Sequence, residues 1–206
     1  AGRDVAGRDL EPGDVREISR QDLTLDGGSQ LELALHALLL DRVAVETRDR
    51  PVLLVLSRQA LPTLDRSQLA PADGLRRGAY ILQDCAGPEL ILIATGSEVH
   101  LILEAATTLR AEGTAVRCVS MPSWELFEAQ DESYRQQVLP DAVRARVAVE
   151  AGIAQGWDRY VGNEGAMIGM SRFGASAPGD EALRHFGFTA ENIRACAKEV
   201  LANTRK

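Results

Sequence analysis

The stretch ELILIATGSEVHLILEAATTLRAEG, Glu89–Gly113, decides the class of fold. Its first seven residues form an aliphatic run short enough for a strand and apolar enough to be buried on both faces. Gly96-Ser97 makes a turn. From Glu98 to about Glu112, Leu, Ile and Ala recur on one helical face until Gly113 stops the helix, with Ser97 placed to cap its start. A buried strand followed directly by a helix is the repeating unit of a parallel sheet.

Working outward, the same alternation continues on both sides. GAYILQ, Gly78–Gln83, reads as a strand that precedes the unit. TAVRCVSM, Thr114–Met121, reads as the next strand, and Pro122-Ser123 leads into helical turns around Trp124–Gln130 and Asp131–Val138. ARVAVEA, Ala145–Ala151, is a further strand and GAMIGM, Gly165–Met170, a fifth candidate. PGDEALRHFG is helical, and Thr189 is placed to cap a last helix over Glu191–Asn203. The expected fold is an α/β domain of three layers with a mixed, mainly parallel sheet and right-handed crossovers.

The amino-terminal third differs. Residues 1–29 hold a near-tandem AGRD pair, then EPGD and LDGGS; charge, Gly and Pro dominate, and a linker-like or disordered arm is expected. Gln30–Val45 is rich in Leu and Ala and reads as a helix. Val52–Leu56 is a short aliphatic strand of the kind buried on both faces. Two prolines and an Asp-Gly pair between Ala60 and Arg77 suggest a domain crossing, which divides the chain into 1–29, a partial second α/β domain over 30–66, and a main domain over 67–206.

With 30 acidic against 23 basic side chains the net charge is −7. That balance argues against a nucleic-acid backbone as partner, because such binding rests on clustered cations. Lys198 and Lys206 are the only lysines, so Schiff-base or P-loop chemistry has no lysine in the body of the chain. The odd set Cys85, Cys118 and Cys196 has no C-x-x-C spacing, which indicates neither a disulfide framework nor a thiolate zinc site and fits a reducing cytoplasm. No apolar run approaches the ~20 residues of a membrane span, so a soluble protein is expected. The absence of an initiator Met at Ala1 fits either processing or a fragment.

Several local patterns carry possible chemistry. The strand–GSE–helix turn at Gly96 and Ser97 resembles an anion-binding loop, since helix amino-terminal amides favour negative charge; Glu98 already occupies that place, and a capped helix start with a first-turn acid is the favoured reading of the turn. GMSRFG, Gly169–Gly174, falls short of a nucleophile elbow because Phe173 stands where a small residue is needed. His36, His100 and His185 fit no metal or catalytic spacing, and no metal site is expected. Glu150, at a strand end, and Glu164, in a Gly-rich loop, occupy positions where α/β proteins place catalytic groups, although ion pairs account for them as well. Arg58 follows the Val52–Leu56 strand, where a guanidinium can fork onto phosphate or carboxylate.

Read as ordered blocks, LVLSRQALP, RGAYILQDCAG, Glu89–Pro140, ARVAVEAGIAQGWDRYVG and FGFTAENI together resemble the carboxyl-terminal part of transketolase, from Arg50 to about Leu201. The resemblance implies the end of a pyrimidine domain followed by a carboxyl-terminal domain with a structural and dimer-interface role. It also implies a complete enzyme that moves a two-carbon ketol unit between sugar phosphates, as a homodimer, with thiamine diphosphate and Mg²⁺ or Ca²⁺. Arg58 corresponds in that family to an arginine that binds the substrate phosphate; no catalytic residue is carried over.

The family's cofactor machinery is not recognisable here. GDV at Gly13 and GDE at Gly179 lack the second glycine of its G-D-G motif, and no aromatic residue precedes Tyr80 to enclose the pyrimidine. This chain alone is therefore expected to bind no cofactor and to be inactive. Three readings follow: the carboxyl-terminal portion of a transketolase; the small subunit of a split transketolase completed by a cofactor-binding chain; or a stand-alone module for a small anion at Ser97 or Arg58.

Overall fold

The computed structural model describes residues 16–20, 41–56 and 61–205. Two sheets are present among the described residues. Strands β1 (Arg16–Arg20) and β2 (Val52–Leu56) pair in parallel, and helix α1, described over 41–46, precedes β2. The main sheet contains β3 (Tyr80–Gln83), β4 (Leu90–Ala94), β5 (Val116–Ser120), β6 (Arg146–Ile153) and β7 (Ala166–Met170) in the order β3-β5-β4-β6-β7. Only β3 runs antiparallel to its neighbour; the β4–β5, β4–β6 and β6–β7 ladders are parallel. The mixed, mainly parallel α/β architecture expected from the sequence is the one observed.

The central strand explains the three layers. Side chains alternate across a strand, and β4 is buried throughout. Leu90, Leu92 and Ala94 join the core beneath α2 (Val99–Ala111) and α7 (Ala190–Thr204), while Ile91 and Ile93 join a second core on the opposite side. That second core takes Phe127 from α3 (Trp124–Glu128), Val138 from α4 (Glu132–Val138), and Tyr160 and Val161 from α5 (Asp158–Val161). A short helix α6 (Gly179–His185) precedes α7.

Of the two caps expected from the sequence, Thr189 is observed and Ser97 is not, and Asp131 and Ser123 cap two further helices. Thr189 accepts from the Asn192 amide at α7, Asp131 from Tyr134 at α4, and Ser123 from Leu126 at α3. Ser97 does not cap α2: Gly96–Glu98 forms a 3-10 turn, and the Ser97 hydroxyl points to a neighbouring carboxylate instead. Helices α2 and α7 are also tied by Glu112, which accepts from Lys198 Nζ at 2.7 Å and pairs with Arg194. The hydrogen bonds from Arg194 and then Lys198 pull the Glu112 carboxyl down to about 2.

Three differences from the sequence reading concern the amino-terminal third. β1 lies inside the segment read as an irregular arm; it is defined by backbone pairing to β2, which no apolar period announces. Residues 72–77, read as part of a crossing, form a 3-10 helix with Ala72 and Leu75 buried. β2 is covered on one face only: Val52 and Leu54 pack with Val43, Leu75 and Leu126, whereas Leu53 and Val55 are 53% and 44% exposed. A two-stranded sheet with one covering layer cannot bury both faces. Residues 30–40 of the expected first helix lie outside the described residues, and its described end, 41–46, is helical.

Candidate functional site

The carboxyl ends of β4, β5 and β6 meet at a topological switch point. The chain leaves the central strand β4 for β5 on one side, then returns to β6 on the other. In open α/β sheets the loops diverge there and leave a crevice. The crevice is a cavity of about 410 Å³, lined by Thr95–Glu98 after β4, Met121–Glu125 after β5, residues around Glu150–Ile153 of β6, and Val55 of β2.

Gly96 opens the turn with φ of +69°, a left-handed conformation that suits glycine. This places Glu98 at 2% exposure against the sheet end, where its Oε1 accepts from Ser97 Oγ at 2.8 Å. Burial pushes the Glu98 carboxyl up to about 7; the Ser97 hydroxyl pulls it partly back and the nearby Glu150 charge pushes it further up. Glu150 is held by Trp157, whose Nε1 donates to Oε2 at 2.6 Å. On the opposite wall Ser123 Oγ donates to Glu125 Oε2 at 3.0 Å. Trp124 and Trp157 meet edge to face, 5.1 Å apart at 84°. Among the described residues that line the cavity there is no Lys, Arg or His.

The raised Glu98 carboxyl makes stability depend on pH. Between the unfolded value of 4.5 and the folded value of about 7 the folded chain holds a proton that the unfolded chain has lost. Stability therefore falls as pH rises through that window and levels off above it. Glu98→Gln should remove this slope, leaving stability near that of the parent at pH 5 and raising it at pH 8 by roughly 3 kcal/mol or less. Urea unfolding at the two pH values checks this; an equal gain at both would detach the effect from titration.

Of the residues singled out from sequence, Gly96, Ser97 and Glu150 come together here. The described residues around Gly96 and Ser97 include the carboxylates Glu98, Glu125 and Glu150. Glu164 is elsewhere, paired with Arg144. A ring nitrogen of His185 lies 3.2 Å from the Arg172 guanidinium, and burial lowers the His100 pKa. Phe173 is 98% exposed. Arg58 and His36 lie outside the described residues. The sequence reading missed Trp124, Glu125 and Trp157 as site residues. Pro122–Glu125 follows a parallel strand just as Gly96–Glu98 does, and that shared position was the available signal.

Among the described residues no group of three or more His, Cys, Asp and Glu could hold a metal ion. Nor is any helix among the described residues long and apolar enough to cross a membrane.

Comparison with known proteins decides the family. The Transketolase-like TK C-terminal domain family matches residues 78–189. The chain belongs to that family. Transketolase 1 of Aliivibrio fischeri is 57% identical over 162 residues, which is 78% of this chain and 24% of that protein. Transketolase 1 of Escherichia coli is 53% identical over 161 residues, with the same shares covered. Among solved structures, transketolase from Leishmania mexicana superposes with a TM-score of 0.78 at 36% identity, over 92% of this chain and 25% of that one. A split-gene transketolase, described as an inactive β4 tetramer, shares the fold with a TM-score of 0.66 at 19% identity, over 92% of this chain and 59% of its own.

The chain thus spans about a quarter of the transketolases it matches in sequence. The matched part is the transketolase carboxyl-terminal domain, and the cavity lies within it, with β2 adding Val55 at the rim.

Proposed function

We propose that this chain acts as the carboxyl-terminal portion of a thiamine diphosphate-dependent transketolase, giving structural support and subunit contacts to an enzyme that moves ketol units between sugar phosphates in the cytoplasm. The observation that carries this reading is the identity of 53–57% to transketolases over 161–162 residues by a chain that covers 24% of their length. On this reading the domain begins near Ser67 and residues 30–66 are the end of the pyrimidine domain. The cofactor and its Mg²⁺ or Ca²⁺ belong to another part of the enzyme, and Arg58 contacts the substrate phosphate. A homodimer is the expected assembly.

A second reading, the small subunit of a split transketolase, is favoured by the split-gene structure, of which this chain covers 59% rather than a quarter. A stand-alone anion-binding module is disfavoured by the carboxylates at Ser97.

Mixing the 206-residue chain with the complementary cofactor-binding part of a transketolase, thiamine diphosphate and Mg²⁺ tests the proposal. Native mass spectrometry should show a complex, with ketol transfer in the mixture and none in either component. In that mixture Arg58→Ala should raise KM for phosphorylated sugars roughly 10-fold or more, the worth of one charge-assisted hydrogen bond. A mixture with neither complex nor activity would overturn the proposal, and an unchanged KM would remove Arg58 from the site.

A further inference from the structure

We propose that the loop between β7 and α6 is a cleavage site for an endoprotease whose specificity pocket takes an aromatic ring, cut after Phe173, and that the nicked molecule stays together as two chains. The step is a hydrolysis. The bond from the Phe173 carbonyl carbon to the Gly174 nitrogen breaks, and one water supplies oxygen to the carbon and hydrogen to the nitrogen. A new carboxylate and a new ammonium group result, with no oxidant or reductant involved.

The aromatic residues make the cut selective. The chain has four Phe, three Tyr and two Trp, all from Tyr80 onward and all within the described residues. Phe173 alone among them is exposed, at 98%, and the rest are buried or half-buried. A protease with an apolar pocket for the residue before the cut therefore meets one aromatic side chain on the folded surface.

The backbone around Phe173 is open as well. Proteolytic nicks concentrate at exposed loop tips of small and polar residues. Residues 171–178 are exposed without interruption and carry neither helix nor strand. Gly174, Ala175, Ser176 and Ala177 follow the cut, and a Cβ added at Gly174 would meet nothing within 4 Å. Among the described residues no backbone hydrogen bond ties 171–177 to the sheet or helices. Arg172 anchors the near end, its guanidinium 5.1 Å over the Phe186 ring and 3.2 Å from His185 Nε2, while Phe173 beside it projects into solvent.

The piece after the cut carries α6 and α7, and its hold on the domain is independent of the loop. Phe188, Ile193 and Ala197 are at most 2% exposed in the core under α2. Glu112 of the chain just after α2 pairs with Lys198 and Arg194, and Arg205 reaches Glu89 at 2.8 Å. None of these contacts involves residues 171–178, so the cut removes backbone continuity and leaves the packing.

The test exposes the folded 206-residue chain briefly to chymotrypsin and follows it by denaturing and native mass spectrometry. Denaturing spectra should show the piece 174–206, and native spectra should show that piece still bound to the rest. Phe173→Ala should lose this cut and Phe173→Tyr should keep it, with circular dichroism verifying that both variants are folded. A 173–174 bond that survives while the chain is digested elsewhere, a cut that Phe173→Ala leaves unchanged, or a piece that separates under native conditions would overturn the proposal. Because the readout is on this chain alone, failure here leaves the transketolase reading intact, and failure of reconstitution leaves this cleavage site intact.

Discussion

Replacing Gly78 with alanine should destabilise the domain by about 4 kcal/mol or more, at the upper end of what one substitution does. Gly78 has φ of +81°, and a Cβ added there would lie 2.2 Å from the Phe127 backbone nitrogen and 2.3 Å from the Ser123 carbonyl oxygen. Neither is the tip of a flexible side chain. Gly78 is also held at both polar groups, its N–H donating to Leu75 at 3.0 Å and its carbonyl accepting from the Ser123 amide at 2.9 Å. Relief therefore requires α3 to move off the sheet, carrying Phe127 out of the core and Trp124 out of the cavity wall. Urea unfolding should show a large fall in midpoint. A loss below about 1 kcal/mol, the ordinary cost of a non-glycine residue at positive φ without a clash, would mean that the close approach is absent.

Trp157→Ala should cost about 3–5 kcal/mol, the range for removing a large buried aromatic side chain. Trp157 is 1% exposed and packs against both Trp124 and Tyr160. Its removal would also strip the Glu150 carboxylate of the indole N–H at 2.6 Å. Trp157→Phe separates these contributions: it keeps an aromatic ring and loses the hydrogen bond, at about 1.5–3 kcal/mol for a bond to a charged group. Denaturant unfolding of both variants checks the order. If phenylalanine costs as much as alanine, the hydrogen bond outweighs the packing; if both are near neutral, Trp157 is not part of the core.

The strand–helix alternation was legible from Tyr80 onward because each element announces itself locally. Ile91 and Ile93 alternate with Leu90 and Leu92 in a strand covered on both sides, and α2 shows its buried face through Val99, Ile102, Ala106 and Leu109. Thr189 signalled a helix start by residue type alone, since short oxygen-bearing side chains satisfy free amides. In the amino-terminal third the local signal fails. β1 has no apolar period, and its strand character rests on a ladder to β2 across more than thirty intervening positions. The half-covered state of β2 likewise depends on how many layers surround it, which five aliphatic residues cannot express.

The candidate site divides in the same way. The sequence by itself determined the family, the acidic charge and the positions of Gly96, Ser97 and Glu150 at strand ends, because these follow from residue identity and short-range order. Ser97 read more readily as a helix cap than as part of an anion loop. Only the tertiary structure decided that its hydroxyl serves Glu98, and that Glu125 and two tryptophans complete one cavity with Glu150. The physical reason is sheet order: β5 and β6 lie on opposite sides of β4, so loops distant in the chain converge at one end. Glu98 acquires its raised pKa from the burial that this convergence creates, a property of the assembled environment that no residue carries in its own side chain.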